Sequence, residues 1–388
     1  MMKFDIVIVG GGLVGASAAV SMNMLGFKVA LIESADMAPA STNEAEWDTR
    51  IYAITPGNVS WLRHLGVWQK LDKSRICPIR KMQVWGDEPS TALVFDADEA
   101  NTENLGVILE SSQLQSALWS QLSGSGVHLL SETKVRHLKY YPDRVELQLE
   151  SDLSISAKLL IAADGGNSFV RQQSAIGVQE HTYEQVGVVA NFETELPHQG
   201  IARQWFRDDG ILAWLPMPGN RISMVWSTPL SKELMILSAE ALAERVAEAG
   251  VNTLGKLQTI SPAAIFSLQK QTADNLIKPR LALVGDAAHR VHPLAGQGVN
   301  LGFRDVVELE KVLSQSLNSY QDIGDFYLLR QYERARKLDM LGMGFVTHGL
   351  QTLFKSDKQS IKELRNWGMR QVNKSGFIKK QLTKHAII

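Results

Sequence analysis

Phe4–Val9 reads FDIVIV, a short, mostly apolar run of strand length, rich in Ile and Val. That pattern suits a strand buried on both faces. Gly10-Gly11-Gly12-Leu13-Val14-Gly15 follows at once, and Ala16–Leu25 then carries Ala, Met and Leu at helical spacing until Gly26 stops it. Lys28–Ile32 is a second apolar strand with Glu33 at its end. The sum is a βαβ unit of about 30 residues, the common setting of a dinucleotide-binding fold.

Beyond it, Asn58–Leu71 and Ser111–Leu122 read as helices, Arg80–Trp85 and Thr91–Phe95 alternate like strands, and Val127–Leu130, Val145–Leu149 and Leu159–Ala163 read as further strands. From about 183 to 268 short β-like runs alternate with Pro/Gly turns (Val186–Phe192, Gly210–Leu215, Arg221–Ser227), interrupted by one helix, Ser238–Ala249. Leu281–Val284 returns to the buried-strand pattern, and from about 299 the chain is mostly helical. The expected fold is α/β: a Rossmann-like nucleotide-binding domain from 1–75, 105–180 and 270–330, an inserted β-sheet substrate domain from 76–104 and 181–269, and a C-terminal helical segment, 331–388.

Composition narrows the class. At 388 residues, 45% hydrophobic and 21% charged, the chain is an ordinary folded protein of two or three units. A net charge of −1 argues against a nucleic-acid binder by bulk charge. The single cysteine, Cys77, excludes an internal disulfide framework and a multi-cysteine zinc site, and fits a reducing, intracellular compartment. No uncharged apolar run reaches the roughly 18 residues of a membrane span, so the expectation is a soluble protein, peripheral at most.

The chemistry starts at Gly10-x-Gly12-x-x-Gly15. The first glycine permits the tight turn, the second lets backbone approach a pyrophosphate, and the third lets helix and strand pack closely. Glu33, 18 residues past Gly15, is placed to accept hydrogen bonds from ribose hydroxyls. Asp164-Gly165, within Ala163–Arg171, and Gly285-Asp286, within Leu283–His289, each put an Asp at the carboxyl end of a strand, where open α/β sheets bind ligands. Each Asp alone also reads as a helix cap. In Pro293–Gly302, Gly296 and Gly298 allow backbone N–H groups to approach a flat ligand, and a helix beginning about there points its positive end at it.

Taken together, these motifs resemble the class A flavoprotein aromatic hydroxylases of the para-hydroxybenzoate hydroxylase fold. The run PLAGQGVNLG at 293–302, with Asp48-x-Arg50, Leu65-Gly66-Val67-Trp68, Glu110 with Leu114-Gln115, and a basic tail, is similar to the UbiH/UbiF/UbiI group of ubiquinone-biosynthesis hydroxylases across essentially the whole chain. Within that group the resemblance leans to the UbiF-like demethoxyubiquinol hydroxylases. It implies FAD as cofactor, with Gly10, Gly12, Gly15, Glu33, Arg50, Gln115, Asp164, Gly165, Gly285, Asp286, Pro293, Gly296, Gly298, Val299 and Asn300 around it, Asp164-Gly165 serving NAD(P)H as well, and Asp286 on the ribityl chain. It implies NAD(P)H and O2 as cosubstrates, a flavin C4a-hydroperoxide as oxygen donor, and a polyprenylated phenol or quinol as substrate. It places Arg50 beside FAD or the pyridine nucleotide and Pro293 near the isoalloxazine; Arg50, Pro293 and His289 are the candidates for the reacting centre. The plain alternatives are a surface ion pair for Arg50 and a structural hydrogen bonder for His289.

Trp205, Phe206, Trp214, Met217, Met224 and Trp226 crowd the β-rich insert, as cleft lining or as sheet core, with core packing expected to take the larger share. Residues 330–388 hold 13 basic and 4 acidic side chains, a net +9, which leaves −10 for the rest. Such a tail binds an anionic lipid surface or an acidic partner, or packs as a helix with a solvated basic face. The expectations are therefore a cytoplasmic protein, peripheral contact at the inner face of the membrane through the tail, a ubiquinone-biosynthesis assembly as partner, no metal and no nucleic acid. Rival readings are a hydroxylase of a non-prenylated phenol, a same-fold halogenase, and a non-catalytic prenyl-lipid binder. Leu212-Ala213-Trp214-Leu215-Pro216 matches only the second half of the halogenase Trp-x-Trp-x-Ile-Pro signature, and a non-catalytic binder would not keep both Asp motifs.

Overall fold

The computed structural model describes residues 1–36, 46–86, 92–290 and 297–355. Among these, the first sheet has the apolar strand Met2–Val9 at its centre. It pairs in parallel with Val29–Ile32 on one side and with Ser154–Ala162 on the other. His128–Leu130 extends the sheet beyond the former and Leu281–Leu283 beyond the latter, both parallel. The register aligns Ile32, Val9, Ala162 and Leu283 in one row across four strands. The glycine turn, Glu33, Asp164-Gly165 and Gly285-Asp286 therefore leave the sheet at the same level of the same edge.

The connecting helix Leu13–Met24 ends as Gly26 requires. Gly26 has φ +88°, its N–H donates to Asn23, and Phe27 N–H donates to Met22, which is a Schellman stop. The same motif shortens the predicted helix 58–71. Pro56–His64 is helical, Gly66 has φ +73°, and Val67 N–H returns to the Leu62 carbonyl. Only a 3-10 turn, Trp68–Lys70, follows. Ser111–Leu122 and Val145–Leu149 have the predicted bounds. Ser154–Ala162 starts earlier than expected because its half-polar first part pairs with the hairpin strand Val145–Leu149.

The second sheet joins Lys81–Trp85 and Ala92–Asp96 to strands between Val178 and Ala273. Its longest strand, Val178–Thr194, extends well before the predicted 186–192, since the polar residues 179–182 are held by pairing with Ala264–Ala273 rather than by burial. One face is closed by the helix Ala239–Ala249, capped by the Ser238 hydroxyl, over Val188, Trp205, Leu212, Trp214, Met224 and Trp226. Trp214 and Trp226 are fully buried there, so these aromatic residues are core. Met217 points the other way. With Ala202 and Leu215 it packs on Ile51, Cys77, Ile79 and Ile108 of a small third sheet. The rest of that second face carries half-buried Val189, Phe206, Ile211 and Phe266.

Two long helices, Gln297–Ser319 and Phe326–Lys355, complete the described chain. The latter begins before the predicted boundary at 331 and docks on the first sheet. Leu328, Leu329 and Tyr332 are buried, and the Tyr332 hydroxyl donates to the Leu283 carbonyl at 2.7 Å. The basic residues beyond 355 lie outside the described residues.

Candidate functional site

Gly10 turns at φ +104°, and a Cβ there would collide with the Ala163 backbone; one on Gly15 would overlap the Gly10 carbonyl. Gly12 is different. It is the N-cap of Leu13–Met24, gives the helix no side-chain cap, and a Cβ on it would meet nothing within 4 Å. The first-turn N–H groups of that helix have no side-chain cap, and helix N-termini of this kind are where anions can bind. Glu33, at the end of the neighbouring strand, accepts from Gly11 N–H at 2.5 Å with one oxygen and from Ala35 N–H at 2.9 Å with the other. Its carboxylate therefore holds the glycine turn. The Gly11 carbonyl accepts from Gln115 Nε2 at 2.9 Å and from Trp119 Nε1 at 3.0 Å, two residues one helical turn apart.

The helix carrying Gln115 and Trp119 is also the anchor of the Asp48-x-Arg50 loop. Asp48 accepts from Ser112 N–H at 3.0 Å and from Arg50 N–H at 2.8 Å, while Ser111 N–H donates to the Arg50 carbonyl at 2.9 Å. The loop thus caps the helix. Asp48 N–H donates to buried Glu110 at 2.7 Å, Glu110 is paired with Arg75 at 2.6 Å, and Asn191 of the second sheet donates to the Asp48 carbonyl at 3.0 Å. With its backbone fixed on all sides, Arg50 leaves its side chain exposed, the guanidinium 5.8 Å from the Tyr52 ring. Burial raises the Tyr52 phenol above its ordinary range; Arg50 opposes that and Asp286 adds to it. Tyr52 therefore lies within electrostatic reach of both Arg50 and Asp286.

Asp164 accepts from the Ser168 hydroxyl at 2.5 Å and Val170 N–H at 3.0 Å. It thereby braces Ser168, the N-cap of the short helix Phe169–Gln173, and burial raises its carboxyl above the usual range despite those bonds. Gly165, at φ +80°, borders open space. Asp286 is half-exposed, paired with Arg290 at 3.3 Å. Gly285 and Gly302 both abut Val14, so the two glycines let the third motif and the helix Gln297–Ser319 close onto the first. Gly298 borders open space and Val299 is buried. Asn300 is buried too, its amide donating to the Ala53 carbonyl at 2.7 Å and accepting from Thr55 N–H at 3.0 Å.

The candidates therefore divide. Gly12, Gly165 and Gly298 each have free space where a side chain would begin, Glu33 and Asp286 follow two of the aligned strands of the first sheet, and the Arg50 guanidinium lies over the Tyr52 ring. Gly10, Gly15, Gln115, Asp164, Gly285 and Asn300 hold the loops in shape from behind. His289, a candidate for the reacting centre, is buried with Nε2 bonded to Asp305 at 2.8 Å, the geometry of the structural hydrogen bonder that was its plain alternative. Pro293 and Gly296 lie outside the described residues. Tyr52, Trp119, Asn191 and Asp305 were not foreseen. A tyrosine two residues after Arg50 was the one local signal among them.

An uncapped helix, glycines with room before them, and acids at adjacent strand ends suit a dinucleotide. Residues 3–340 match the FAD binding domain family. The chain belongs to that family. It is 35% identical over 386 residues to the 3-demethoxyubiquinol 3-hydroxylase of Escherichia coli K12, covering 99% of this chain and 98% of that one. It is 33% identical over 388 residues to the ubiquinone hydroxylase UbiL of Rhodospirillum rubrum, covering 99% and 89%. In fold it is similar to the p-nitrophenol 4-monooxygenase PnpA of Pseudomonas putida DLL-E4, with TM-score 0.80 and 18% identity over 100% of this chain and 99% of that one. FAD is thus the cofactor of this family member, which is an FAD-dependent hydroxylase with the NAD(P)H and O2 cosubstrates typical of such monooxygenases. Among the described residues no helix is long and apolar enough to cross a membrane, and no cluster of metal-binding side chains occurs.

Proposed function

We propose that this protein hydroxylates the aromatic ring of a polyprenylated phenol or quinol on the ubiquinone pathway. The observation that carries the reading is the alignment of Ile32, Val9, Ala162 and Leu283, which brings Glu33, the glycine turn, the Asp164 loop and the Asp286 loop to one sheet edge. FAD, when bound, supplies the oxygen-activating redox chemistry. Gly12 and the first turn of Leu13–Met24 would hold its diphosphate, Glu33 its ribose, and Asp286 its ribityl hydroxyls. The N-terminal turn of Gln297–Ser319, where Gly298 leaves room for a close approach, would favour negative charge on a bound flavin. Arg50 stands at the rim to hold a pyridine nucleotide or to follow charge on the flavin.

In this reading the second sheet, with 76–104 and 181–269, is the substrate domain. Its half-buried face of Val189, Phe206, Ile211 and Phe266 supports the reading by offering an apolar wall beside the Asp48–Arg50 loop. Such a wall excludes water and orients an apolar ring. A prenyl tail is nearly insoluble in water, so membrane or partner delivery belongs to the same proposal. The test is quinone profiling in a deletion strain beside NAD(P)H oxidation by the pure protein. Accumulation of a pathway intermediate lacking one ring oxygen, restored by the gene, is expected. Unchanged quinones together with no stimulation of NAD(P)H oxidation by any prenylated quinol would overturn it.

A further inference from the structure

Behind the Gly285-Asp286 loop lies a charge cluster that the proposed chemistry does not use. Asp305 is fully buried, at 0% exposure. Its Oδ2 accepts from Gly285 N–H at 2.8 Å and from His289 Nε2 at 2.8 Å, and its Oδ1 accepts from Arg336 Nε at 2.7 Å. The two Oδ2 donors are the two ends of the turn that carries Asp286. The Oδ1 donor belongs to the last described helix, Phe326–Lys355. Arg336 is buried as well, and is held in turn by Asp339 at 2.5 Å. Burial alone would push the Asp305 carboxyl up; the charge and hydrogen bonds of His289, then Arg336 and the Gly285 N–H, outweigh it and hold it below its ordinary range.

We propose that Asp305 is a positioning residue for the flavin site, fixing both ends of the 285–289 turn and thereby the aim of Asp286, with Arg336 making the C-terminal helix an obligatory part of that site. The inference rests on the FAD reading of the Asp286 loop. The geometry allows no easy substitute: both carboxylate oxygens accept, Oδ2 from Gly285 and His289 and Oδ1 from Arg336, whereas an amide keeps one acceptor oxygen and turns a donor nitrogen on the remaining partner. An uncompensated charge at this depth is costly, so Asp305 and Arg336 stand or fall as a pair. The same helix also reaches the sheet independently, through Glu333 accepting from Leu276 N–H at 3.0 Å and through Tyr332 on Leu283. Helix docking and loop positioning are therefore separable.

Four proteins separate them: wild type, Asp305→Asn, Arg336→Met and Glu333→Gln. FAD affinity is read by fluorescence titration of apoprotein, loop order by hydrogen exchange at 285–290, and fold by thermal unfolding of apoprotein. Asp305→Asn and Arg336→Met are expected to weaken FAD about tenfold or more, the scale of one lost charged hydrogen bond. Faster exchange at 285–290 and a shifted visible flavin spectrum should accompany the loss. Glu333→Gln, matched for loss of melting temperature, should keep wild-type FAD affinity and spectrum. Equal weakening by Glu333→Gln, or unchanged affinity and exchange in Asp305→Asn, overturns the proposal. If Asp305→Asn does not fold, Arg336→Lys carries the test, with affinity intermediate between wild type and Arg336→Met expected. Wild type that binds no FAD at all would instead overturn the reading on which the inference stands.

Discussion

Arg171 Nη1 donates to the carbonyl of Ala287 at 2.9 Å, across 116 residues of sequence, while its Nη2 donates to the Gly166 carbonyl at 2.7 Å. One buried guanidinium thus ties the Asp164-Gly165 loop to the Gly285-Asp286 loop and sets the distance between them. Arg171→Met keeps the bulk of the stem but removes both bonds, each worth about 1.5–3 kcal/mol when charged. FAD content on purification is expected to fall sharply. Flavin retention at the wild-type level, read by absorbance, would show that the two loops hold their spacing without the arginine.

The Arg75–Glu110 pair anchors the Asp48–Arg50 loop from below. Glu110 is nearly buried, and its oxygens serve Arg75 and the Asp48 N–H together. Glu110→Ala is expected to cost about 3 kcal/mol, because it removes the carboxylate that serves both the Arg75 guanidinium and the Asp48 N–H. Replacing both residues by methionine should be milder than Glu110→Ala alone. Urea unfolding of the three proteins checks the order.

How much of this was legible in the chain depends on the range of each interaction. The glycine turn, the Gly26 stop and the strand-end acids are patterns within about 30 residues, and the structure places them as the pattern predicts. Glu33, Gln115 and Asp164 were foreseen as cofactor contacts, but their side chains also hold loops, since a buried N–H or carbonyl must be satisfied whether or not a ligand is present. The roles of Asp305 and Asn191 were invisible, because their partners lie far away in sequence, on other elements. The strands Val135–Tyr140 and Ile201–Arg207 were missed as well, the first because its largely exposed residues show no apolar periodicity.

Arg50 separates turnover from folding. Its backbone is clamped by Ser111 and Asp48, but its side chain is exposed. Exposed charges contribute at most about 1 kcal/mol, which in a chain this size moves the melting temperature by only about 2–4 °C. Arg50→Ala should therefore melt within that interval of wild type and still bind FAD, yet reduce more slowly with NAD(P)H in stopped flow. Unchanged reduction would leave the arginine as surface charge.

Cys77 gives a probe of the third sheet. The thiol is buried, and burial pushes it up to about 11. At pH 8 only about one thiol in a thousand is then ionised, and the thiolate is the reactive form. The native protein should resist a disulfide reagent at pH 8 and release one equivalent in denaturant, matching its single cysteine. Rapid labelling of the folded protein would mean that the Ile51, Ile79 and Met217 cluster opens readily.

Gly12 and Gly15 belong to one motif but are predicted to fail in opposite ways. A methyl group on Gly15 has nowhere to go, since it would overlap the Gly10 carbonyl and press on Ala163. Gly15→Ala should therefore destabilise the apoprotein itself by the roughly 1–3 kcal/mol of an overpacked contact. A methyl group on Gly12 meets nothing within 4 Å. Its backbone angles, φ −65° and ψ −177°, are ordinary for alanine. Gly12→Ala should leave the apoprotein as stable as wild type, because no protein atom is displaced. It should nevertheless weaken FAD strongly, because the space it fills is where a diphosphate must approach the first turn of Leu13–Met24. Thermal unfolding of apoprotein and FAD titration of each variant decide the matter. Loss of apoprotein stability in Gly12→Ala, or unimpaired FAD binding by it, would mean that the opening before this helix is not the diphosphate site.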